Sequence, residues 1–123
     1  MAKILVVDDD DTVRNNLFDL FAYRHTCDAA ATAEQALAYL SVQQYDVMIT
    51  DYQMPGLSGL DLLAHVRETQ KQTLVILISG LATKERAEEL IKMGAFDYVV
   101  KPFTLTEIEQ CVNKALAQGA RLA

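Results

Sequence analysis

Basic residues are scarce in this chain and form no cluster. The sequence of 123 residues has 11 lysines and arginines against 17 aspartates and glutamates, a formal net charge of −6. Domains that bind nucleic acids concentrate positive charge on one face, because the phosphate backbone is polyanionic. We therefore expect no direct contact with DNA or RNA.

Long hydrophobic runs are also missing. Only four apolar residues separate Lys3 from the acidic run that begins at Asp8, whereas a membrane-spanning helix needs about 20. The same stretch is too short for the apolar region of a secretory signal peptide. We expect a cytoplasmic protein that does not contact a membrane.

Cysteine is limited to Cys27 and Cys111, which are far apart in the sequence. This spacing matches no metal-ligand pattern, and nothing indicates a secretory context that would favour a disulfide. We interpret both residues as reduced, packed thiols.

Short apolar runs alternate with segments of helical periodicity. The runs lie near residues 4–7, 26–31, 47–50, 74–78 and 98–100. This alternation is typical of βαβ units, and right-handed crossovers leave few possible strand orders. We predict an α/β fold with a doubly wound, five-stranded parallel sheet in the order 2-1-3-4-5. Five helices would complete a three-layer α/β/α sandwich over residues 1–118, leaving 119–123 as a tail or the start of a linker.

The spacing of apolar residues predicts the buried face of each helix. In chain order the five predicted faces are Val13, Leu17, Leu20 and Phe21; Ala33, Ala36, Leu37 and Leu40; Leu60, Leu63 and Ala64; Ala87, Leu90 and Ile91; and Leu105, Ile108, Val112, Ala115 and Leu116. Thr104, with Glu107 three residues later, predicts the amino-terminal cap of the last helix.

Charged and hydroxyl side chains follow the apolar strands where each strand ends. Asp8 and Asp9 follow the first strand, and Asp51 ends the third. Ser79 and Lys101 follow the fourth and fifth strands. Because the carboxyl ends of parallel strands meet at one edge of a sheet, we expect these side chains to form one pocket.

Three carboxylates in one pocket repel one another unless one is protonated or a cation joins them. Oxygen ligands of this kind favour Mg²⁺, with Mn²⁺ as the second candidate. Four successive aspartates at 8–11 oppose direct phosphate binding, which argues against a flavin-phosphate site. Lys101 and Ser79 could neutralise a phosphoryl group, and Asp51, alone at its strand end, is the predicted nucleophile.

Each of these signals, taken singly, also has a purely structural interpretation. Asp8 and Asp9 could be helix-capping or solvated charges, and Asp10 or Asp11 fits the cap of the first helix best. Ser79 alone could be a strand-end hydroxyl, and Tyr98 alone a half-buried packing residue.

The motifs taken together resemble the receiver domain of two-component response regulators, a chemotaxis-regulator-like domain with a flavodoxin-like fold. The likeness spans nearly the whole chain, with every motif in order. The motifs are Val6-Val7-Asp8-Asp9, Asp51-Tyr52-Gln53-Met54-Pro55-Gly56 with Gly59, Ile78-Ser79-Gly80, and Gly94 through Lys101-Pro102-Phe103.

The resemblance implies a role for each site residue. Asp51 would accept a phosphoryl group from a phosphohistidine on a sensor histidine kinase or phosphotransfer domain. Mg²⁺ would be held by Asp9, Asp51 and the backbone carbonyl of Gln53, with Asp8 acting mostly through water. Lys101 would pair with the phosphoryl oxygens. The domain would be a signalling phosphoacceptor whose only chemistry is its own phosphorylation and dephosphorylation.

The resemblance also implies a switch. Ser79 would move to the phosphoryl group while Tyr98 turns inward, which reshapes the surface of the fourth helix, fifth strand and fifth helix for a downstream output domain or protein. The Lys101–Pro102 peptide would be cis. Leu81, two residues beyond Ser79, offers no acid or amide to orient water, so we expect a phosphoryl group that is not unusually short-lived.

Two other functions remain open at this stage. Asp8 to Thr12 also fits the Asp-x-Asp-x-Thr pattern of haloacid-dehalogenase-type phosphatases, in which Asp8 would be the nucleophile and Asp10 the general acid. No further acidic motif follows Ser79, as such an enzyme would require. The other alternative is an interaction module that is never phosphorylated, against which the complete set of site residues argues.

Overall fold

Strands and helices alternate along the whole chain. A computed structural model describes the backbone of residues 2–80 and 84–122, and the side chains of residues 2–80 and 85–119. Its elements are β1 (Lys3–Val7), α1 (Asp11–Ala22), β2 (Thr26–Ala30), α2 (Ala33–Val42), β3 (Val47–Asp51), α3 (Gly59–Thr69), β4 (Leu74–Ser79), α4 (Lys84–Lys92), β5 (Asp97–Val100) and α5 (Leu105–Leu122).

All five strands lie in one parallel sheet in the order β2-β1-β3-β4-β5. The predicted topology is therefore confirmed. Central strands are buried on both faces, as every residue of β3 shows, whereas β2 and β5 at the edges are more exposed. This difference explains why the middle strands read as continuous apolar runs in the sequence.

Alternate residues of each strand face opposite layers of helices. Ile4 and Val6 of β1 pack in one core with side chains of α1 and α5. Leu5 and Val7, which point to the other face, pack in a second core with side chains of α2, α3 and α4. The sheet thus forms the middle layer of the predicted sandwich.

The predicted buried face of α3 was partly wrong. Ala64 is exposed, while Leu62 and Val66 are buried beside Leu63. The reason is that α3 begins at Gly59 behind a capping box, so its inward stripe follows the spacing 59, 62, 63 and 66.

Two further residues that we predicted to face inward are exposed. Ile91 of α4 is 43% exposed and Leu105 of α5 is 46% exposed. Leu105 is the first residue of its helix, and Ile91 lies one position beyond the buried pair Ala87 and Leu90. The periodicity of apolar residues therefore does not show which of them lie beyond the part of the helix that the sheet covers.

The predicted helix caps are present. The Asp10 side chain accepts from the backbone N–H groups of Thr12 and Val13, and the Thr104 hydroxyl accepts from the N–H of Glu107 at 3.1 Å. Because α5 runs to Leu122, the boundary that we placed at residue 118 lies inside a helix. The assignment of residues 119–123 to a tail or the start of a linker stays a prediction.

Candidate functional site

Three carboxylates meet at the carboxyl edge of the sheet. β1 lies beside β3 with Val7 opposite Thr50, so the residues that come next along both strands are neighbours. One carboxylate oxygen from each of Asp8, Asp9 and Asp51 lies within 4.8 Å of the others. Asp8 and Asp51 are buried, and Asp9 is exposed. The topology thus brings the predicted acidic residues together.

Asp51 is held between two donors. Its Oδ2 accepts from the Lys101 Nζ at 3.0 Å, and its Oδ1 accepts from the backbone N–H of Gln53 at 3.2 Å. Burial alone would lower the pKa of Lys101, but the hydrogen bond and charge of Asp51, with the other site carboxylates, raise it above its usual value. Lys101 therefore stays positively charged beside the predicted nucleophile.

Asp8 is the most deeply buried of the three carboxylates. Its Oδ1 accepts from the N–H of Asp10 at 2.9 Å, while its buried Oδ2 has no hydrogen-bond partner among the described residues. The pKa of Asp8 is raised to about 6, chiefly by burial. The charges of Asp51 and Asp9 also raise this pKa, while the Asp10 hydrogen bond and the charge of Lys101 oppose the rise.

This arrangement fits a divalent cation. A buried carboxylate oxygen without a donor is costly, and a hard cation is the partner that a group of carboxylates accepts most readily. The loop after β3 that contains Gln53 borders the same cluster, since its N–H contacts Asp51. The donor set contains only oxygens, as Mg²⁺ and Mn²⁺ prefer.

Ser79 lies at the end of β4, next to β3, and Tyr98 lies in β5, the strand beyond β4. Ile78 lies opposite Asp51 in the register of β3 and β4, so the buried Ser79 is one residue further along the sheet than Asp51. The backbone oxygen of Ser79 accepts from the N–H of Lys101 at 2.9 Å. Tyr98 is half-buried against the core under α2, α3 and α4. Leu81 lies outside the described residues.

The chain after β5 turns at a cis peptide between Lys101 and Pro102. The resemblance implied this isomer, and the structure has it.

Gly59 lets α3 approach the site closely. A Cβ atom at this position would lie 2.2 Å from the backbone oxygen of Asp51, a distance that no side chain tolerates. The glycine therefore permits the contact between the start of α3 and the end of β3.

Two arginines contact the site, and our sequence analysis identified neither. Arg14 of α1 donates to the backbone oxygen of Asp8 at 3.0 Å. The guanidinium of Arg86 in α4 lies 5.3 Å from the ring centroid of Tyr52, the residue after Asp51. The only sequence signal for Arg14 is its place one turn after the aspartate run.

Comparison with known proteins identifies the family. Residues 4–113 match the response regulator receiver domain. The chain belongs to this family. Chemotaxis protein CheY of Pseudomonas aeruginosa is 35% identical over 117 residues, which cover 91% of this chain and 94% of that protein. A receiver domain from Clostridium thermocellum is 31% identical, with complete coverage of both chains and a TM-score of 0.91.

Other relatives of this receiver domain are longer proteins. Regulatory protein AtoC of Escherichia coli is 38% identical over 93% of this chain, and the chain covers 25% of its length. The chain covers 53% of the two-component response regulator PhoP of Pseudomonas aeruginosa, at 34% identity. The chain thus spans between a quarter and about half of the length of these two relatives. None of its described helices has the length and hydropathy to cross a membrane.

Proposed function

We propose that Asp51 accepts a phosphoryl group from a phosphohistidine on a sensor histidine kinase or phosphotransfer domain. The observation that carries this proposal is the placement of Asp51 between the Lys101 ammonium, 3.0 Å away, and the carboxylates of Asp8 and Asp9. A fixed cation next to a carboxylate inside an acidic cluster suits the transfer of an anionic group to that carboxylate.

In the transfer step an oxygen of Asp51 forms a bond to phosphorus while the bond between phosphorus and the histidine nitrogen breaks. The electron pair of the broken bond stays on the imidazole, which takes up a proton. Lys101 would move its hydrogen bond from the Asp51 carboxylate to a phosphoryl oxygen, which keeps the new charge neutralised. Mg²⁺ bound by Asp8, Asp9, Asp51 and the Gln53 carbonyl would supply the remaining positive charge.

Phosphorylation would then bias two arrangements of the domain. Ser79 and Lys101 are linked through their backbones, so a phosphoryl group that attracts both would act on the ends of β4 and β5 together. We expect Ser79 to donate to the phosphoryl group and Tyr98 to move further inward. The new charge must interact better with one arrangement than with the other for the equilibrium to shift.

The surface of α4, β5 and α5 is the proposed output surface. Ile91, Val100 and Leu105 are 43%, 38% and 46% exposed on these elements, and exposed apolar side chains favour a protein partner. We propose an output domain or a separate downstream protein as that partner, in the cytoplasm.

Intact mass spectrometry after incubation with phosphoramidate and Mg²⁺ tests the proposal. Phosphoramidate presents the same phosphorus–nitrogen bond as phosphohistidine. We expect one added phosphoryl group on the wild type and on Asp19→Asn, a change at an exposed residue of α1, and none on Asp51→Asn. Loss of labelling in Asp8→Asn, with full labelling of Asp51→Asn, would instead favour the phosphatase-like use of Asp8.

A further inference from the structure

Arg14 connects α1 to the loop that carries Asp8 and Asp9. Its Nη1 donates to the backbone oxygen of Asp8 at 3.0 Å, and its Nη2 pairs with the carboxylate of Asp11. The Arg14 side chain is only 17% exposed, whereas that of Asp11 is 82% exposed. The guanidinium is therefore turned inward, towards the acidic loop.

Besides the hydrogen bonds by which Asp10 caps α1, the loop has two further restraints among the described residues. The Asp8 N–H donates to the backbone oxygen of Ala30 at 3.1 Å, which fixes the end of β1. The Asp10 N–H donates to the Asp8 carboxylate at 2.9 Å, a bond whose direction depends on the peptide between them. Arg14 restrains the peptide between Asp8 and Asp9 from the side of α1, because it donates to the carbonyl oxygen of Asp8.

We propose that Arg14 is a positioning residue for the divalent-cation site of this receiver domain. Its guanidinium fixes the peptide between Asp8 and Asp9, and this sets the direction in which both carboxylates point. The inference rests on the proposed function, since it assumes that these carboxylates bind Mg²⁺.

The charge and the hydrogen bond of Arg14 should change Mg²⁺ affinity in opposite directions, so the proposal can be tested by whether replacing Arg14 weakens or strengthens Mg²⁺ binding. A guanidinium near a cation site repels the cation, so the removal of its charge alone would strengthen Mg²⁺ binding. The loss of its hydrogen bond to Asp8 would loosen the ligands and weaken binding. Residues that orient metal ligands from outside the coordination sphere typically contribute about 10-fold to 100-fold in metal affinity.

The experiment compares Arg14→Met with Arg24→Met by calorimetric titration with Mg²⁺ in the absence of any phosphodonor. Arg24 is an exposed arginine in the turn after α1, so the two variants lose the same charge. We expect Mg²⁺ binding about tenfold weaker in Arg14→Met and unchanged in Arg24→Met. Binding to Arg14→Met that is equal to or tighter than that of the wild type would overturn the proposal.

Amide hydrogen exchange without metal provides a second readout. We expect the Asp10 amide to exchange faster in Arg14→Met than in the wild type and at an unchanged rate in Arg24→Met. An unchanged rate in Arg14→Met would also contradict the proposal. If Arg14→Met fails to fold, Arg14→Lys replaces it. Lysine keeps the charge but lacks the planar pair of donors that the guanidinium offers to the Asp8 carbonyl and the Asp11 carboxylate. The Mg²⁺ affinity of Arg14→Lys should therefore lie below that of the wild type, and equal affinity would overturn the proposal.

The same titration separates this inference from the proposed function. A wild-type protein without saturable Mg²⁺ binding would remove the cation site itself. A wild type that binds Mg²⁺ and is phosphorylated, beside an Arg14→Met variant with the same affinity, would remove only the role of Arg14.

Discussion

Replacing Asp8 by asparagine should stabilise the metal-free protein at neutral pH. The pKa of Asp8 is raised from 3.8 to about 6, and since one pH unit is worth about 1.4 kcal/mol, ionisation of this carboxyl in the folded protein costs about 3 kcal/mol. Asparagine has the same shape and no charge, and its side-chain oxygen can still accept from the Asp10 N–H. We therefore expect Asp8→Asn to unfold with a free energy higher by up to about 3 kcal/mol.

The pH dependence should show the same effect. Because the folded-state pKa of Asp8 lies above its unfolded value, the folded protein binds this proton first as the pH falls. The contribution of Asp8 to the stability of the metal-free wild type should therefore rise between pH 7 and about pH 4. Asp8→Asn should lack that contribution. Added Mg²⁺ should stabilise the wild type at pH 7 and have little effect on the variant.

Urea denaturation followed by circular dichroism measures these differences. Asp19→Asn, which removes one negative charge from an exposed position of α1, controls for the reduction in overall negative charge. If metal-free Asp8→Asn at pH 7 is no more stable than Asp19→Asn, the electrostatic description of the cluster is wrong.

Three further substitutions test local contacts, each by the free energy of unfolding. Gly59→Ala should lower the free energy of unfolding by about 2 kcal/mol or more and weaken Mg²⁺ binding, because its Cβ would lie 2.2 Å from the Asp51 backbone oxygen. The control is Gly80→Ala, which has open space around it and should change neither stability nor Mg²⁺ binding. Gln70→Ala should cost about 2 kcal/mol without changing Mg²⁺ affinity, since its amide donates at 2.7 and 3.0 Å to two backbone carbonyls at the end of α2. Thr104→Ala should cost about 1 kcal/mol through loss of the cap of α5. A neutral result for Gly59→Ala, Gln70→Ala or Thr104→Ala would contradict the contact concerned.

The sheet and the acidic cluster could be predicted because each rests on a strong local signal. Buried central strands require continuous apolar runs, and the carboxyl ends of parallel strands must share an edge. Once the strand order was fixed, Asp8, Asp9 and Asp51 had to meet, and Lys101 had to lie at the same edge of the sheet, at the end of β5.

The contacts that the sequence did not reveal depend on side-chain direction and on the exact start of each helix. The inward face of α3 shifted because its capping box sets Gly59 as the first residue, which periodicity does not specify. Arg14 was missed because a basic residue on a helix is usually a solvated charge, and only the structure shows that it donates to the Asp8 carbonyl.

Chemical mapping of the phosphoryl group tests the central claim most directly. Wild-type protein is treated with phosphoramidate, with Mg²⁺ or with a chelator, then reduced with borohydride, digested and sequenced by mass spectrometry. The reduction product of an aspartyl phosphate should appear at Asp51, and only in the sample with Mg²⁺. A product at Asp8, or equal labelling of Asp51 without the metal, would contradict the account.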